Sequence, residues 1–131
     1  LNDKELKHKV NTACFELMTT IGVITPVDVL LHMGVLSKVD YENWRHGKVD
    51  YLERVCKINL RKLSELMREM RAFAKKNDLK PSWTYYHGWA KHKSAKLRFS
   101  KSGNEDIERS YATHFISHKT LDALKAVKQN N

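Results

Sequence analysis

His114 and His118 stand four residues apart. On a helix that spacing puts both imidazoles on one face, as zinc sites do, and on a strand it also gives one face. Zinc needs three or four ligands, and His87 and His92 are the histidines that could approach from elsewhere in the chain. An enzyme with a His-rich site around His87, His92 and His114 is therefore one reading. Surface or core-edge histidines are the plainer one, because no third ligand stands nearby in sequence. Cys14 and Cys56 are 42 positions apart. That is neither a metal spacing nor a disulfide framework, and it reads as two free buried thiols. No Ser-His-Asp arrangement, phosphate loop or dinucleotide fingerprint occurs. The sequence therefore predicts no catalytic residue, no metal and no cofactor.

Charge is the more informative chemistry. The chain has 24 Lys and Arg against 15 Asp and Glu, a net charge of +9. Residues 1–56 carry 7 basic and 8 acidic side chains, residues 57–104 carry 13 and 3, and residues 105–131 carry 4 and 4. The whole excess belongs to the middle third, and no carboxylate occurs between Asp78 and Glu105. A charge serving only solubility has no reason to sit this way. A phosphate-facing surface does, because neutralising phosphates releases condensed counterions. The alternative is a protein-interaction or adaptor module whose basic face meets an acidic partner.

The elements that would carry this charge can be read from periodicity and caps. At 131 residues the chain predicts a single domain. Residues 3–20 predict a helix with Leu6, Val10, Ala13, Cys14, Leu17 and Met18 on one face. Thr25 and Pro26 open a second helix that Gly34 closes, and Ser37 opens a third that Gly47 ends. The two form a helical hairpin burying Leu30, Leu31, Tyr41 and Trp44. Asp50 is expected to cap a short helix through "YLERVCK". Asn59 opens the longest helix, about 60–77, with Leu60, Leu63, Leu66, Met67, Met70, Phe73 and Ala74 as its apolar stripe. Pro81 forbids continuation. "SWTYYHGW" and "AKLRFS" predict a β-hairpin with its loop near 90–95. Asn104 caps another short helix, "ATHFIS" is a short strand, and "SHKTLDALKAVK" is a terminal helix. The fold class is α+β, mainly helical. Residues 1–50 form helical support, 51–101 a helix-turn-helix-like unit plus hairpin, and 102–131 a C-terminal helical segment.

In "YLERVCKINLRKLSELM", Leu52, Cys56, Ile58, Leu63 and Leu66 fill the packing places of a helix-turn-helix, and "INLRKL" resembles its turn and recognition helix. Lys57 stands where Gly is usual, and Glu53 where a small residue is usual. A hairpin after the recognition helix is the order of winged helix domains, and this resemblance implies a DNA-binding unit. It makes Arg61, Lys62, Glu65, Arg68 and Lys75 on the helix, and Lys91, His92, Lys93, Lys96 and Arg98 on the wing, the nucleic-acid candidates. Arg can fork onto guanine, whereas Lys supplies a point charge.

"W-T-x-Y", "LRFSKSGN" and "IERSYATHF" are similar to a family of uncharacterised bacterial proteins, which implies a bacterial, cytoplasmic origin but brings no activity with it. "SYATHF" also resembles the segment after the catalytic arginine of tyrosine recombinases. There the essential Arg is replaced by Glu108 and the preceding His by Glu105. A carboxylate cannot neutralise a scissile phosphate, so that catalysis is excluded. No apolar run approaches a membrane span, and the polar N-terminal stretch, which begins at Leu1, predicts no signal peptide. Trp83, Tyr85, Tyr86, Trp89 and Phe99 could stack on unpaired bases, although one side of the hairpin must pack on the helices. The expected partner is nucleic acid, duplex DNA before RNA or single strands, with no membrane.

Overall fold

The structure, a computed structural model, describes residues 1–89 and 95–129. Helix α1 (Asp3–Thr20) starts where the Asn2 side chain accepts from the Glu5 amide. It buries Leu6, Val10, Ala13, Cys14 and Leu17 at helical spacing. Strand β1 (Val23–Ile24) leads into α2 (Pro26–His32), capped by Thr25 onto the Asp28 amide. Helix α3 (Lys38–Arg45) is capped by Ser37 onto the Asp40 amide. Each cap satisfies one of the amides a helix start leaves without an intrahelical partner. A 3-10 turn (Leu52–Val55) precedes α4 (Leu60–Lys76), which Asn59 caps onto the Lys62 amide. Strand β2 (Lys80–Trp83), helix α5 (Glu105–Ala112), strand β3 (Thr113–Ile116) and helix α6 (His118–Gln129) complete the order.

The class is α+β and mainly helical. The sheet is antiparallel with the order β1-β3-β2, so β3 is central. Pro81 pairs with Phe115 on β2, an edge strand, where a residue without an amide hydrogen is tolerated. Helix α1 packs along α4, and their buried faces enter one core. Leu63, Leu66, Met67, Met70 and Ala74 supply the α4 side.

A second part of that core is aromatic. Trp44 is fully buried, and its indole donates to the Arg98 carbonyl at 2.9 Å. Its ring centroid lies 5.2 Å from Phe99, which stacks on Tyr111 at 5.5 Å and 8°. Buried Glu108 ties the Phe99 segment down. Its carboxylate accepts from the Phe99 amide (2.8 Å), the Ser100 amide (2.7 Å) and the Ser100 hydroxyl (2.6 Å). The helix dipole adds to this placement, since Glu108 lies near the α5 start.

Three local expectations are corrected. Strand β2 pairs with β3 along its whole length and not with "AKLRFS". The expected hairpin is reduced to a His87–Lys96 bridge, with the Gly88 amide on the Ala95 carbonyl and the Leu97 amide on the Tyr86 carbonyl. The cause is β3, which offers a four-residue partner to Lys80–Trp83 and recruits Ser82 and Trp83, the start of the aromatic run, into the sheet. Asp50 does not cap the short helix. That element is one 3-10 turn with no side-chain cap, and Asp50 instead pairs with Arg54 at 2.6 Å. Cys56 is half-buried on extended backbone after this turn, not helical, with its thiol 3.5 Å from the Leu52 carbonyl.

Candidate nucleic-acid interface

The α4 candidates divide by position on the helix. Arg61, Arg68 and Lys75 are seven residues apart and exposed, opposite the buried face. At 1.5 Å per residue they form a row with about 10.5 Å between members. Arg61 pairs with Asp3 of α1 at 3.2 Å, and Arg68 pairs with Glu65 at 2.6 Å. Both guanidiniums keep most of their surface in water, so these pairs are worth no more than about 1 kcal/mol each. Lys62 lies on the α1 side, where its ammonium donates to the Leu1 carbonyl. Glu65 is thus a partner of Arg68 within the helix.

The hairpin candidates have different neighbours. Lys96 sits 3.6 Å from the centre of the Tyr85 ring. The Tyr85 hydroxyl donates to Glu105, which raises the tyrosine and lowers the carboxyl from their ordinary values. Arg98 folds back on its own chain. It donates to the Ser100 carbonyl at 2.9 Å and the Lys101 carbonyl at 3.0 Å, and its guanidinium lies 5.3 Å from the Tyr51 ring. Lys91, His92 and Lys93 lie outside the described residues. The segment after the hairpin does approach α4, since Lys101 borders a groove that Leu60, Ser64 and Arg71 also line.

Sequence reasoning passed over two arginines that stand on exposed tryptophans. Arg109 of α5 lies 4.7 Å from the Trp83 ring, and Trp83 packs edge-on to Tyr85 at 5.2 Å. Arg45, the last residue of α3, lies 4.9 Å from the Trp89 ring and 5.0 Å from Tyr86. Trp83 and Trp89 are 48% and 46% exposed, whereas Phe99 is buried and Tyr86 half-buried. Two platforms of ring plus cation therefore face solvent. Neither arginine lies in the basic middle third, and only their place in the fold brings them to the aromatic run. No family model, curated protein or solved structure matches the chain.

The histidines separate. His114 lies on β3 with its Nε2 3.2 Å from the Tyr86 hydroxyl, and burial lowers its pKa. His118 opens α6 and pairs with Asp78 at 3.2 Å. The strand ends at Ile116 and the helix starts at His118, so neither periodicity spans both residues. No group of three His, Cys, Asp or Glu side chains able to hold a metal occurs among the described residues. No described helix is long and apolar enough to cross a membrane. Burial pushes the thiols of Cys14 and Cys56 up to about 12, with Glu53 and Asp40 adding to the effect at Cys56.

Proposed function

We propose that this chain binds nucleic acid, with duplex DNA as the preferred form and a cytoplasmic location. The row of Arg61, Arg68 and Lys75 on the exposed face of α4 carries the reading. Three cations in line span about 21 Å, enough to follow several phosphates of one strand. Their surface ion pairs with Asp3 and Glu65 are weak enough to exchange for phosphate oxygens. Lys62 adds charge on the same helix, and Lys96, with Lys91, His92 and Lys93 close to it in sequence, would add further positive charge. Arg61, Glu65 and Arg68 are the side chains that would read base edges.

A second reading rests on Trp83 and Trp89. Exposed rings each backed by a guanidinium suit unpaired bases, which stack at about 1–3 kcal/mol each. A salt-titrated shift assay with duplex DNA, single strands and RNA separates the forms. If about 6 phosphates are engaged, log affinity falls against log salt with a slope near −5. Replacing Arg61, Arg68 and Lys75 together by Ala should make that slope shallower by about 2.7, at ~0.9 per phosphate contact. An unchanged slope removes the α4 row from the interface, and a flat response in the parent protein removes nucleic acid altogether. Equal competition by heparin and duplex DNA of matched charge would favour the adaptor alternative.

A further inference from the structure

The groove between α4 and α5 has a volume of about 710 Å³. The α4 stripe read from the sequence runs past the packed core at this place. Leu60 belongs to that stripe yet is 58% exposed, and Ile107 on the facing helix is 42% exposed. Met67 and Tyr111 also line the groove and are nearly buried. The two exposed side chains therefore border a slot with an apolar floor, not open water.

The polar lining is unbalanced. Arg71 donates to the neutral Ser110 hydroxyl at 3.2 Å. Lys101 also lines the groove. Of the two carboxylates present, Glu53 already accepts on each oxygen, from the Tyr111 hydroxyl at 2.8 Å and the Lys101 amide at 2.9 Å. Asp106 alone remains to set against two cations, and Ser64 adds a hydroxyl donor. A groove of this size matches small-molecule sites, which run from about 300 to 1,000 Å³. It is narrow for a stable protein partner, which covers roughly 800 Å² of each surface.

We infer that the α4–α5 groove is a binding site for a small organic anion, a carboxylate on an apolar ring-sized body. The body lies over Met67 and Tyr111 between Leu60 and Ile107. Its carboxylate meets Arg71, whose planar fork can exchange the Ser110 hydroxyl for two carboxylate oxygens. Lys101 adds a second positive charge. This site is independent of the nucleic-acid reading, because its test contains no nucleic acid.

Three probes of equal shape and different charge decide it: naphthalene-2-carboxylate, naphthalene-2-methanol and naphthalene-2-methylamine. Each is titrated into the full chain by calorimetry and by amide chemical-shift mapping. The carboxylate should bind on the order of tenfold or more tighter than the alcohol, the scale of one charge-assisted contact. The amine should bind weakest. Shifts should centre on Ser64, Ile107 and Ser110. Arg71→Met should remove the preference for the carboxylate while leaving weak binding of the alcohol. Ile107→Glu, at an exposed position, should abolish carboxylate binding with the fold checked by circular dichroism. Equal binding of all three probes, no binding of any, shifts centred elsewhere, or an Arg71→Met variant that keeps the preference would overturn the assignment.

Discussion

Replacing Glu108 by Gln exchanges one carboxylate oxygen for an amide nitrogen and should cost this protein a large part of its stability. The carboxylate accepts three hydrogen bonds at 2.6–2.8 Å from Phe99 and Ser100, and Glu108 is only 3% exposed. Each hydrogen bond to a charged group is worth about 1.5–3 kcal/mol. Glutamine keeps one acceptor oxygen, which can hold the Ser100 amide and hydroxyl on the Oε2 side. The new amide group then points its own hydrogens at the Phe99 amide. One bond is lost, and a buried donor is left without an acceptor. The loss should be about 2–4 kcal/mol, against a total of roughly 5–15 kcal/mol for a domain. Urea unfolding followed by tryptophan fluorescence measures it directly, since Trp44 is packed against Phe99. The midpoint should fall with the slope unchanged, because the unfolding surface is the same. A loss under about 0.5 kcal/mol would refute the reasoning, for it would mean the buried Phe99 amide finds another acceptor at no cost. Glu108→Ala should cost at least as much, because it orphans all three donors.

Gly22→Ala should destabilise more than Gly47→Ala by thermal melting. Both glycines have positive φ (81° and 75°), a conformation costing other residues about 1–2 kcal/mol, but only at Gly22 would the new methyl collide with Thr120. Equal losses would show that the α6 start simply moves aside. Both cysteines should resist iodoacetamide at pH 8 in the folded protein and react fully in urea, as thiols pushed up to about 12 hold little thiolate. Rapid labelling of native Cys56 would contradict its half-buried place. His114 has a folded pKa below its unfolded value near 6.5, because burial outweighs the opposing field of Asp28. Its contribution to stability is therefore full above about pH 6.5 and lost as pH falls toward the folded pKa. His114→Asn should flatten that part of the stability–pH curve, and a variant as acid-sensitive as the parent would point to other groups.

What the sequence disclosed was local and helical. The caps at Thr25, Ser37, Asn59 and Asn104 are each made by the side chain expected to make them. Caps are legible because donor and acceptor lie within three residues. The sheet was not, because its pairings join residues 23, 80 and 116, and no local pattern says which strand receives which. The aromatic run shows the difference. Trp83 packs on Tyr85 while Tyr86 packs on Trp44, and the partner of Lys80–Trp83 is β3. Once the sheet takes those residues, only the end of the run is left to pair with Lys96.

The cationic candidates were legible as charges but not as contacts. A count of lysines and arginines cannot tell Arg98, which closes its own turn, from Arg68, which stands in water. The residues that break the helix-turn-helix pattern are informative in the same way. Glu53 sits where that motif wants a small side chain, and here its carboxylate joins the Tyr111 hydroxyl to the Lys101 amide. A small residue at position 53 would leave both donors without this acceptor and would loosen the loop that forms one side of the groove. The departure from the motif thus serves α5 and the segment after Lys96, which both donate to the Glu53 carboxylate. Helix α4 thus offers two separate surfaces, the exposed row of Arg61, Arg68 and Lys75 and the flank of Leu60, Ser64 and Arg71 that borders the groove.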